Sequence, residues 1–204
     1  LGPLLQKHPS FITTNRHLLR ELTEHVIDVH HCRNLYCLTG PKGDPDATDR
    51  LNGFLDALAA RNIPCDESHI FYGDFWYPGG KELARKIISG ELPRPEAVIC
   101  ASDHMAIGLT NHLVQHGIRV PEDIIVAGFG ARGCASNEVL SITTYPSGAE
   151  HLGRKAMSRL HHLITGEEEQ EISYPRGGVI TGMSCGCGSH KALDVRLRLE
   201  LNEK

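Results

Sequence analysis

Three features of this 204-residue chain predict an α/β fold with parallel, doubly wound sheets. Short apolar runs recur at 35–39, 69–72, 97–101 and 124–129. Between them lie stretches of about a dozen residues whose apolar side chains repeat at helical spacing. The junctions carry Gly, Pro and Asp where turns and caps need them. Strands alternating with helices in this way build βαβ units, with helices on both faces of a parallel sheet.

Taken in order, Leu18, Leu19, Leu22, Val26 and Ile27 form the stripe of a first helix over 16–30. Leu35–Thr39 reads as a buried strand that ends at Gly40-Pro41. Asp44 then caps a helix whose first position is Pro45, with Leu51, Phe54, Leu55 and Leu58 facing inward. Asn62-Ile63-Pro64 stops it. His69–Tyr72 is a short strand, 79–89 a helix, 97–101 a strand, and 103–116 a helix closed by Gly117. Ile124–Phe129 is the next strand and 141–144 a further apolar piece. A long amphipathic helix spans 148–165 and closes at Gly166. Val179-Ile180-Thr181 is a candidate last strand, and Leu193, Leu197 and Leu201 give the tail a helical stripe. In such sheets ligands sit beyond the carboxyl ends of the strands, here Gly40–Asp49, Gly73–Tyr77, Ala101–Asp103 and Phe129–Arg132.

Composition narrows the function classes. An apolar fraction of 40% and a charged fraction of 23% suit an ordinary globular core. A net charge of −4 leaves no global basic footprint for nucleic acid, so any DNA contact is expected outside this stretch. No apolar run approaches a membrane span, and no secretory signal is visible. The chain opens on LGPLLQKHPS without a Met, so we expect a piece of something longer. Seven Cys, an odd number scattered over strands and loops, suit free thiols in a reducing cytoplasm.

Several motifs imitate catalytic or cofactor sites. Gly128–Gly133 spells G-x-G-x-x-G, but the dinucleotide turn needs a helix starting at its last Gly, and only CASNEVL precedes the next strand-like run. Gly182–Gly186 spells G-x-S-x-G, yet His190 is too near Ser184 to return across a sheet as its base. Cys185-x-Cys187 could be half of a metal or redox site, and with His190 could be joined by a residue from elsewhere, but there is no second such pair and a solvent-facing turn is the favoured reading. His112 and His116 lie one helical turn apart without the Glu of a zinc protease motif, and a polar helix face suits them better. His30-His31 and His161-His162 lie at or near helix ends, where imidazoles beside exposed carbonyls are ordinary. Ser102, Asp103 and His104 are contiguous, so they point apart on a helix and make no triad; Asp103 reads as a cap or dipole partner. We therefore expect no enzyme, no cofactor and no metal. The competing reading is a sugar- or nucleotide-processing enzyme that uses the Cys and His residues.

The order of these pieces resembles the effector-binding domain of the LacI/GalR family of bacterial repressors. LTGPKGDPDATDRLNGFLDAL is similar to the family's strand, Gly-Pro loop and Arg-x-x-Gly-Phe helix. YGDFWYPGGKELARKI is similar to its Gly-Asp-aromatic turn and helix. VICASDHMAIGLTNHL matches Asn-Asp-x-x-Ala-x-Gly, with Ser102 in place of Asn. GIRVPEDIIVAGF matches the Val-Pro-x-Asp lead-in, and SITTY then HLGRKAMSRL match the segment that follows. The resemblance covers about residues 11 to 187.

It implies a type I periplasmic-binding-protein-like fold of two lobes, one of them truncated here. Residues 1–31 would be part of the N-terminal lobe, 33–145 the C-terminal lobe, 147–172 the return to the first lobe, 176–187 the last strand of the C-terminal lobe, and 188–204 a linker or tail helix. Helices 16–30 and 148–165 should then lack their sheet. The resemblance assigns ligand contacts to Arg50, Phe75 with its neighbour Trp76, Ser102, Asp103 and Gly130. It adds His17 from the other lobe and Ser147 from the crossover. VAGFGARG replaces the family's Gly-Phe-Asp-Asp turn, both acids being lost to Gly130 and Ala131. A carboxylate normally accepts two sugar hydroxyls, so its loss argues for a more apolar, acidic or larger ligand than a plain hexose.

The function implied is the ligand-sensing domain of a cytoplasmic transcriptional regulator. A small sugar-like or polar effector would bind between lobes of a homodimer, and DNA would be reached only through a domain absent from this chain. MSCGCG and the amphipathic tail also resemble the variant fused to a diguanylate cyclase or histidine kinase. An extracytoplasmic solute receptor shares the fold. No membrane contact is expected.

Overall fold

The computed structural model describes residues 15–131, 140–166 and 177–187. Five strands form one parallel sheet: β1 (Leu35–Thr39), β2 (Ile70–Tyr72), β3 (Ala97–Cys100), β4 (Ile125–Gly130) and β5 (Thr143–Pro146), in the order β2-β1-β3-β4-β5. The helices are α1 (Asn15–His30), α2 (Pro45–Ala59), α3 (Tyr77–Ile88), α4 (Asp103–Gln115) and α5 (Ala149–Thr165).

Side chains alternate across the strands, and both faces are covered. Cys37, Ile99, Ala127 and Tyr145 point to one face, where α1 and α2 bring Leu19, Leu22, Val26, Ile27, Phe54 and Leu58. Tyr36, Leu38, Val98, Cys100 and Val126 point to the other, where α3 and α4 bring Leu83, Met105, Leu109 and Leu113. Burial on both faces is why β1 and β3 read as unbroken apolar runs. Asp44 caps α2 by accepting the Ala47 amide at 2.9 Å, with Pro45 at the first helical position.

Helix 16–30 corrects one expectation. It does not lack cover: Leu19, Leu22, Val26 and Ile27 are fully buried within this chain. The helix lies across α2 so closely that a Cβ on Gly53 would stand 2.1 Å from the Arg16 carbonyl oxygen. The crossing is flanked by Arg16 with Asp56 and by Arg61 with Glu24 and Asp28. α5 is different. It has no buried residue, and Met157, Leu163 and Ile164 are 64%, 55% and 75% exposed.

The candidate strand at 179–181 is a single antiparallel bridge between Ile180 and Thr144. A 3-10 turn, Met183–Cys185, follows it and is pinned beneath β4 and β5. There the Ser184 hydroxyl donates to the Val126 carbonyl at 2.5 Å and accepts the Thr143 amide at 2.8 Å. The G-x-S-x-G serine is thus a fully buried bracket between strands. The tail stripe at Leu193, Leu197 and Leu201, together with His190, Cys134 and the last Gly of G-x-G-x-x-G, lies outside the described residues.

Candidate ligand site

The strand order reverses between β1 and β3, and a cavity of about 240 Å³ opens near that point, beyond the carboxyl ends of the strands. Arg50, on the second turn of α2, is its central group. Its guanidinium lies 5.1 Å from the centre of the Phe75 ring and 4.7 Å from that of Phe129. It donates to the Ala101 carbonyl at 2.7 Å and lies 3.7 Å from Asp46 one turn earlier. Aromatic faces attract a cation placed over them and hold the fork in one plane.

Phe75 is held in place by its backbone and by a missing Cβ. Its φ is +65°, a region that non-glycine residues seldom occupy. The Asp74 carboxylate fixes the turn by accepting the Trp76 amide at 2.9 Å. The ring then lies over Gly40, where a Cβ would meet it at 2.1 Å. Trp76 is 58% exposed at the rim and packs on His104, with ring centres 4.6 Å apart.

Ser102 caps α4. Its hydroxyl accepts the Met105 amide at 3.2 Å and donates to the Phe75 carbonyl at 2.7 Å, tying the aromatic turn to β3. Asp103 is 2% exposed in the first turn of α4, where the helix dipole favours a carboxylate. It accepts the Thr144 hydroxyl at 2.6 Å, which ties the start of α4 to β5. Gly130 and Ser147 close the cavity at the ends of β4 and β5.

Arg50, Phe75, Trp76, Ser102, Asp103, Gly130 and Ser147 therefore line one cavity. His17 does not: it is exposed on α1, away from the buried stripe of Asn15, Leu19 and Leu22. Three lining residues, Asp46, His104 and Phe129, were not assigned as contacts from the sequence. Asp46 could have been found from its spacing of four before Arg50. Phe129 could have been found from its place beside Gly130.

The remaining motifs are explained by their surroundings. His116 places Nδ1 2.8 Å from the His112 carbonyl, as an imidazole at a helix end does. Cys185 is 2% exposed, so the reading of that turn as solvent-facing fails for it. Nothing in the sequence assigns His25 a role, and His30 reads only as a helix-end imidazole. Both stand beside Cys185 and Cys187.

A doubly wound lobe with its cavity beyond the strand tips defines a ligand-binding module of the α/β class. Residues 23–185 match the periplasmic binding protein-like domain, and the chain belongs to that family, as an effector-binding domain of the LacI/GalR type. The ribose operon repressor of Escherichia coli K12 is 34% identical over 143 residues, which are 70% of this chain and 43% of that protein. The transcriptional regulator CelR of Thermobifida fusca is 31% identical over 153 residues, 75% of this chain and 44% of that one. The structure of a CelR–cellobiose complex superposes with a TM-score of 0.72 at 28% identity, over 84% of this chain and 52% of that one. The chain thus spans about half the length of the relatives it matches.

Proposed function

We propose that this chain is the effector-sensing part of a LacI/GalR-type transcriptional regulator, binding a small polar molecule and converting it into no product. The observation that carries this reading is the cavity itself. Arg50, clamped between two phenyl rings, faces it together with Ser102, Asp103 and Ser147 at the strand ends. Aromatic walls with a few fixed polar groups suit a sugar-like or anionic metabolite. Among the described residues no carboxylate from the end of β4 lines the cavity, since Gly130 stands there, and Arg50 becomes the leading polar contact.

The relatives are transcriptional regulators, which supports that output over a signalling enzyme or a transport receptor. In this reading the protein works in the cytoplasm as a homodimer and reaches DNA through a part beyond this chain. No helix among the described residues is long and apolar enough to cross a membrane. An effector acts through its differential affinity for two arrangements of the dimer.

A thermal-shift screen against sugars, nucleosides and small acids tests the proposal. A true effector at a hundredfold excess over its Kd should add about 2.7 kcal/mol of stability. Arg50→Ala should remove most of that gain. A full shift in Arg50→Ala, or turnover of the compound, would refute it.

A further inference from the structure

Away from the cavity, two distant parts of the chain bring four ligating atoms together. His25 and His30 come from the end of α1; Cys185 and Cys187 come from the turn that closes the lobe. The two imidazole nitrogens and two sulfurs all lie within 4.8 Å of one another. We propose that they form a structural zinc site that staples α1 to the closing turn.

The spacing fits the ion. With Zn–S of about 2.3 Å and Zn–N of about 2.05 Å, tetrahedral geometry puts S and N about 3.55 Å apart. Cys187 Sγ lies 3.2 Å from His30 Nε2 and 3.7 Å from His25 Nε2, and Cys185 Sγ lies 3.8 Å from His25 Nε2. All three bracket the required value closely. Gly186, at φ +86°, turns the chain between the two thiols so that Cys187 comes back beside the imidazoles.

The donor set also selects the ion. Two thiolates with two imidazoles in a tetrahedron suit zinc, whereas calcium, magnesium and manganese prefer oxygen. Four protein ligands leave no open position, so the site is structural. Cys185 is buried, and Cys187 and the two imidazoles are partly or fully open to solvent, which gives the ion a path in. The staple would join α1 to the turn that holds Ser184 beneath β4 and β5. This inference does not rest on the proposed effector.

The reduced, chelator-stripped 204-residue chain is titrated with cobalt and then zinc. One equivalent of cobalt should bind, with the intense visible bands of a tetrahedral ion and a thiolate charge-transfer band, and zinc should displace it. Cys187→Ser and His30→Ala, both at partly or fully exposed positions, should each weaken zinc by at least about 100-fold, the upper end of what outer-shell changes cost. The control His112→Ala with His116→Ala should bind like the parent chain. Weak or non-stoichiometric binding, cobalt spectra without the thiolate band, affinity unchanged in both ligand variants, or a Cys185–Cys187 disulfide that re-forms with zinc present would each overturn the proposal.

Discussion

Replacing Gly53 by Ala measures how closely α1 crosses α2. In an exposed helix interior the change is favourable by about 1 kcal/mol, because Ala loses less backbone freedom on folding. At Gly53 the added Cβ would stand 2.1 Å from the Arg16 carbonyl oxygen and 3.1 Å from the Arg20 amide nitrogen, both backbone atoms. Ordinary contact begins at 3.4 Å, so α1 must retreat by about an ångström, pulling Leu19 and Leu22 out of full burial. Overpacking of this kind costs about 1–3 kcal/mol and sometimes more. A clash at 2.1 Å with a backbone atom falls in the upper part of that range, about 2–3 kcal/mol, which exceeds the propensity gain and leaves a net loss of about 1–2 kcal/mol. For a chain of this size that lowers Tm by about 3–6 °C. Gly153→Ala on α5 is the matched control, since its Cβ would meet nothing within 4 Å. It should raise Tm by about 2–4 °C. Thermal unfolding followed by circular dichroism reads both. Equal upward shifts in the two variants would refute the close crossing.

Two further outcomes follow from the same packing. Ser184→Ala leaves the Val126 carbonyl and the Thr143 amide without their buried partner, and should cost about 1–3 kcal/mol in urea denaturation; a loss below about 0.5 kcal/mol would refute the bracket role. Arg61→Ala tests the ion network beside the helix crossing. The Arg61 hydrogen bond holds Asp28 below the ordinary carboxylate range. Burial pushes Glu24 upward, but hydrogen bonds from Arg20 and Arg61 outweigh it and the net direction is down. Groups lowered by folding stabilise the protein above their unfolded pKa, and that stability is lost as pH falls through the folded value. The parent chain should therefore lose about 0.5–1 kcal/mol more than Arg61→Ala between neutral pH and about pH 3. Parallel pH profiles for the two proteins would refute it.

Much of the lobe was legible from local signals. Asp44-Pro45 spells a helix start, and the unbroken runs LYCLT and AVIC declare strands buried on both faces. Arg50, Gly53 and Phe54 each serve a separate purpose on one helix: a cavity group, a close crossing and a core ring. The family motif brought most of the cavity into view because its residues sit at strand ends, a local feature. His17 was carried over as a contact, yet its helical phase points it outward on α1.

Periodicity reports that a face is buried, and not what buries it. The stripes of α1 and α5 look alike in sequence, but α1 is sealed against α2 and the sheet while α5 keeps its apolar residues exposed. The same limit hid the cluster of His25, His30, Cys185 and Cys187. Each half reads as an ordinary helix end or turn, and only the path of the chain through the fold brings ligands about 160 residues apart to bonding range. Element types and caps depend on neighbouring residues, so the sequence determined them by itself. Partners between distant elements depend on how whole faces pack, and that was decided by the tertiary structure alone.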